Sequence, residues 1–155
     1  MTGTYDSPII RFISRMLPPA LQVFALYVLI HGHYSPGGAF QAGAILAASF
    51  LLPRVVEGVE KGQRGMTTRR ATWVALTGTI IFAGTGAVTL LMGGAGFMDY
   101  AGLHSLPFDM PPGGYTRAIG SLFIEFGVAM AVMGVMIILY DDVLAKRPTI
   151  PDIEE

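Results

Sequence analysis

Cysteine is absent from the 155 residues. Disulfides, thiolate metal sites, iron–sulfur ligation and cysteine nucleophiles are thereby excluded. Charge is scarce as well. Asp, Glu, Lys and Arg make up 14% of the chain, against about 25% in a soluble domain. Ten basic residues balance eleven acidic ones, so the basic footprint of a nucleic-acid-binding protein is missing. The N-terminus has no basic segment leading into an apolar run and a small-residue cleavage site, and no removable signal peptide is expected. What remains is 52% hydrophobic, with 20 Gly and 9 Met, a composition suited to closely packed membrane helices.

The few charges divide the chain. None occurs from Met16 to Pro53 or from Ala71 to Met98, and Glu125 stands alone from Ala118 to Tyr140. A spanning helix takes roughly 20 apolar residues. The second and third stretches each supply one helix. The first is long enough for two, divided at His31-Gly32-His33-Tyr34-Ser35-Pro36-Gly37-Gly38, where Pro36 removes a donor and the glycines loosen the backbone. The expected fold is all-α: one integral membrane domain over residues 1–155, a bundle of four transmembrane helices at about 9–31, 38–56, 72–93 and 117–140. Ser7 can cap helix 1 ahead of Pro8, and Pro18-Pro19 is expected to kink it. The tail after Asp141 is acidic and broken by proline, and 146–155 is expected to be a mobile end.

Lys and Arg then orient the chain. With four helices, nine of the ten basic residues fall on one side, leaving Arg117 on the other. The basic side is expected to be cytoplasmic, which makes this a multi-pass protein of the cytoplasmic (inner) membrane with both termini inside.

Glu125 is the most informative residue. A carboxylate inside the hydrocarbon costs about 2.5–3.5 kcal/mol on insertion scales and must be protonated, paired or hydrated. It reads either as a proton- or cation-relay group or as a structural group hydrogen-bonded to a neighbouring helix. Gly120, Gly127 and Gly134 recur every seven residues and form one smooth stripe for helix packing. Glu125 lies about 140° around the helix from Gly120. If the glycines pack within the chain, Glu125 faces another surface, expected to be a second subunit or a watery inter-subunit cavity.

His31 and His33 could titrate near neutrality at the outer end of helix 1, could bind a metal, or could satisfy loop carbonyls. Two His without a carboxylate nearby are weak support for a metal, and none is expected. His104, Asp99 and Asp109 read as solvated loop groups. The Pro36–Gly43 segment lacks the Gly-Lys-Ser/Thr ending of a phosphate loop. It reads as a tight re-entry turn with Phe40 as an apolar anchor and Gln41 as a buried hydrogen-bonding group. No nucleophile–base pair or two-carboxylate acid/base site is present, so neither catalysis nor a cofactor is expected.

Gly32, His33, Pro36, Gly37, Gly38, Phe40 and Gly43 together resemble the signature of the MnhB family, the B-type subunits of multisubunit Mrp-type Na+/H+ antiporters. That signature is roughly Gly-His-x-x-Pro-Gly-Gly-Gly-Phe-x-x-Gly between the first two helices, with Ala39 here replacing the third glycine. The resemblance implies an accessory membrane protein in the lipid bilayer, surrounded by the other subunits of an antiporter that exchanges Na+ for H+. It equally implies the related component of membrane-bound hydrogenase-like, redox-driven complexes. It marks His33, Pro36 and Phe40 as important and says nothing of Glu125. The alternatives are a purely structural adaptor between pumping subunits and a self-contained channel or carrier.

Overall fold

Each charge-poor stretch forms helix, and the first forms two. The computed structural model describes residues 7–32, 38–58, 62, 63, 65–91, 96–100 and 114–145. Its helices are α1 (Pro8–Ile30), α2 (Gly38–Glu57), α3 (Thr68–Leu91) and α4 (Gly114–Ala145). All four are long and apolar enough to cross a membrane, and no strand occurs among the described residues. The protein is a multi-pass, all-α membrane protein. The tail 146–155 lies outside the described residues.

Local chemistry accounts for the helix ends. Pro8 occupies the first turn of α1, whose N-cap Ser7 makes no side-chain capping bond. The helix runs through Pro18 and Pro19 without a break in its assignment. It closes at His31, whose backbone N–H donates to Tyr27 O at 3.1 Å. Two glycines bound α2. Gly38 opens it at φ +46 and Gly58 follows it at φ +86, left-handed conformations that strain any side chain with a Cβ. Thr67 caps α3, its Oγ1 accepting from Arg70 N at 3.3 Å. The last helix, α4, runs five residues past the end expected at Tyr140, because nothing between Tyr140 and Arg147 breaks a helix. Asp141 therefore belongs to α4 and not to a tail.

The helices lie side by side in the order α1–α2–α4–α3, with a slight further contact between α1 and α4. The bundle is thus open, a row with two broad faces and little interior. Glycine sets its spacing. A Cβ on Gly78 of α3 would fall 2.5 Å from both Gly127 O and Ala131 N of α4. One on Gly134 would fall 2.5 Å from Ala71 O, and one on Gly43 of α2 would fall 2.6 Å from Ala129 O. Real Cβ atoms do not approach so closely, so α4 touches both neighbours backbone to backbone. Gly120, the third member of the heptad stripe, lies under the Tyr100 ring, and Phe97 covers Gly86 in the same way. Small buried residues fill the two seams: Ala39, Ala42 and Ala129 with Leu29 in one, and Ala47, Ala71, Met133 and Ile137 in the other.

Gly127→Val should therefore lower thermal stability in detergent by about 1–3 kcal/mol, the usual cost of overpacking. Gly84→Val meets nothing within 4 Å and should change it by less than about 0.5 kcal/mol.

Candidate functional site

Two polar sites stand out among the described residues, one at the level of the α1–α2 turn and one toward the C-terminal ends of α2 and α4. At one end, α4 passes the turn between α1 and α2. Glu125 lies three turns into α4, inside the membrane-spanning stretch Ala118–Leu144. A Cβ on Gly32 would stand 3.1 Å from Glu125 Oε2 and 2.9 Å from Gly38 Cα. The carboxylate, the end of α1 and the start of α2 thus converge on a point with room only for a glycine hydrogen. Glu125 Oε2 is buried there. Glu125 as a whole stays half-buried, and Gly32 and Gly38 of this chain thus cover part of a carboxylate that was expected to face a second subunit or an inter-subunit cavity. The reason is length. The α1–α2 hairpin is shorter than α4, so its turn falls level with Glu125 and not at the tip of α4.

His31 adjoins Gly32 and is exposed. Its Nδ1 lies 3.0 Å from Tyr27 O, and its ring rests on Tyr27 with centroids 4.2 Å apart. A carbonyl only accepts, so Nδ1 is the donor in this contact. His33, Pro36, Gly37, His104 and Asp109 lie outside the described residues. Phe40 and Gln41 are exposed on α2, so Gln41 is not the buried group expected and Phe40 turns most of its ring outward. Both are presented to lipid or to a neighbour. Among the described residues no group of three or more His, Asp or Glu could hold a metal ion.

At the other end lies a cluster that sequence reasoning missed. Arg54, near the end of α2, has a fully buried side chain, and its Nε stands 3.3 Å from Asp141 Oδ1 of α4. The contact is an ion pair without hydrogen-bond geometry. Arg54 also donates to Phe50 O at 3.4 Å and to Met66 O. Asp141 Oδ2 accepts from Thr68 Oγ1 at 2.6 Å, and Gln63 Nε2 reaches Thr68 Oγ1 at 3.4 Å. A Cβ on Gly62 would fall 2.5 Å from Arg54 Cα, so the α2–α3 connection lies flat on the arginine. One buried pair thus fastens α2, α3, α4 and a connecting loop. The available signal was that nothing between Tyr140 and Arg147 breaks a helix; the level of Asp141 against Arg54 comes from the fold alone.

Residues 9–138 match a family model described as a domain related to the MnhB subunit of Na+/H+ antiporter. The Na(+)/H(+) antiporter B subunit of Bacillus subtilis is 24% identical over 127 residues, covering 82% of this chain and 85% of the relative. The probable K(+)/H(+) antiporter A/B subunit of Rhizobium meliloti is 25% identical over 129 residues, covering 82% of this chain but 12% of the relative. An uncharacterized protein of Methanocaldococcus jannaschii is 36% identical over 56 residues, 36% of this chain and 21% of the relative. This chain therefore spans a small part of the length of the latter two.

Removing one member of a buried ion pair strands the other. Arg54→Met or Asp141→Asn alone should destabilise by about 3–5 kcal/mol, and Arg54→Met with Asp141→Leu should recover much of the loss. Thermal unfolding of the purified single and double variants measures the cycle.

Proposed function

The chain belongs to the family of proteins related to the MnhB subunit of Na+/H+ antiporters, and from that membership we propose that it is a membrane component of a multisubunit monovalent cation/proton antiporter. In that complex its particular contribution is Glu125, a carboxylate that exchanges a proton or a cation. The observation that carries this reading is the seat of Glu125. Its Oε2 is buried within the membrane-spanning stretch, against a glycine turn with no room for a further side chain. A carboxylate at such a depth is costly unless it is neutralised or hydrated. Protons and alkali cations neutralise it equally well in charge, so they compete for one seat, and competition for one seat is the elementary requirement of exchange.

His31 is exposed and adjoins Gly32, the residue against Glu125 Oε2, and its Nδ1–H donates to Tyr27 O; in this reading it passes protons between water and the carboxylate. The motif histidine His33 has the same chemistry two residues on. Among the described residues Arg11, Arg15, Arg54, Arg69 and Arg70 lie toward one end of the helices, and we place that end in the cytoplasm by the bias of Lys and Arg. The exposed apolar faces of the row, among them Phe12, Phe24, Trp73, Leu91 and Phe126, would then lie against lipid and the neighbouring subunits.

Glu125→Gln keeps the size and hydrogen-bonding capacity of the side chain and removes its charge. In vesicles carrying the assembled complex it should lower Na+- or K+-dependent proton exchange at least about tenfold, in the range attributed to a positioned acid–base group, while the complex stays intact. Full exchange by this variant would instead make the chain a structural adaptor.

A further inference from the structure

At the basic end of the row, α1 and α2 part to leave an open cleft of about 440 Å³. Its position is unusual for a helix pair in lipid, because polar side chains line it. Arg15 and Glu57 face one another across its mouth at 3.6 Å. Buried Ser14 lies further along. The floor is Gln22, whose Nε2 reaches Ser49 Oγ at 3.4 Å. Gln22 is about 21 Å along α1 from Pro8 at 1.5 Å per residue, well inside a hydrocarbon core of about 30 Å. Acyl chains cannot satisfy its remaining polar atoms.

Prolines add main-chain oxygens to this lining. The helices carry Pro18 and Pro19 in α1 and Pro53 in α2, and all three line the cleft. Proline has no N–H, so each takes the helical donor away from the carbonyl four residues before it. Those carbonyls belong to Ser14, Arg15 and Ser49, and these three residues line the same cleft. Every proline inside α1 and α2 beyond the first turn thus leaves a main-chain oxygen without its helical partner beside one cavity. At membrane depth such backbone is tolerated where it lines a water-filled space, and carbonyls released from helices are a known means of coordinating alkali cations. At the mouth Arg15 and Glu57 offset one another, and hydroxyl and amide groups serve either sign, so the preference for a cation rests on the released carbonyls.

We propose that the α1–α2 cleft is a hydrated vestibule for monovalent cations, open at the Arg15–Glu57 end and floored by Gln22 and Ser49. It has room for on the order of a dozen waters at about 30 Å³ each. That the cations are those of an antiporter rests on the family reading. The hydration and cation preference of the cleft rest on its own residues and do not involve Glu125.

The chain has no cysteine, so introduced thiols report without background. Gln22→Cys and Val23→Cys are compared in membranes holding the assembled protein. Two membrane-impermeant methanethiosulfonates are used, one bearing a trimethylammonium and one a sulfonate, and modification is read as a mass shift on this chain. The cationic reagent should modify Gln22→Cys from the Arg15 side at least about tenfold faster than the anionic one, as a cation-focusing cleft requires. Val23→Cys, on the outward face of α1 and 70% exposed in the isolated chain, should stay unmodified. Adding Pro18→Ala, Pro19→Ala and Pro53→Ala returns the three helical donors without adding bulk, and should bring the two rates together. A silent Gln22→Cys would show that lipid or a neighbouring helix fills the cleft. An anionic rate equal to the cationic one would show water without cation preference. A rate ratio untouched by the proline changes would show that the released carbonyls do not set the preference. Each of these would overturn the proposal as stated, and none bears on exchange at Glu125.

Discussion

Inside a bilayer, lipid tails are as apolar as leucine, so burying apolar side chains drives helix association weakly. The constraint on which this architecture depends is instead close backbone approach, and α4 provides it on two sides. Gly127 and Gly134 bring it against α3, and Gly43 brings α2 against its opposite flank. Because α4 is pinched between two neighbours, it cannot rotate to present Glu125 elsewhere. The angular offset between the glycine stripe and the carboxylate then determines that Glu125 falls to the α1–α2 side. Dispersion contacts between backbones, individually tiny, thus decide where Glu125 is seated.

The two ends of the row solve the problem of intramembrane charge differently. Arg54 and Asp141 neutralise each other and recruit Thr68, with Gln63 behind it. Almost no side-chain surface of the pair remains accessible, which suits a fastening and leaves little scope for exchange. Glu125 is seated against a glycine turn. The same chain therefore carries a closed electrostatic contact at one end and a carboxylate packed on backbone at the other. Along α4 they are about 24 Å apart at 1.5 Å per residue.

Much of this was legible before any coordinates. Charge-free stretches marked the four spans, because lipid excludes charge without regard to tertiary detail. The heptad of Gly120, Gly127 and Gly134 marked a packing stripe, because helical period is local. What was not legible depended on relative height. Arg54 read as a flanking charge and Asp141 as the start of a tail, since their levels coincide only once α2 and α4 are known to run parallel through Gly43 and Ala129. Phe40 read as the apolar anchor of the turn, and the fold turns it to the outer surface of α2. Pro18 and Pro19 read as a kink and Pro53 drew no reading, since only the fold shows that the residues whose carbonyls they release share one cleft.

The seam between that cleft and the glycine turn has an electrical consequence. From Gln22 to Gly32, about 15 Å along α1, the α1–α2–α4 seam is closed by Ala25, Leu29, Ala39, Ala42 and Ala129. With the cleft hydrated as proposed and water reaching the Glu125 end, a transmembrane voltage would fall chiefly across this short apolar plug. The plug is about half of a hydrocarbon core some 30 Å thick, which makes the local field about twice the average. An elementary charge moved past those alanines does about 2.3 kcal/mol of work per 100 mV, nearly all of it within three turns of helix.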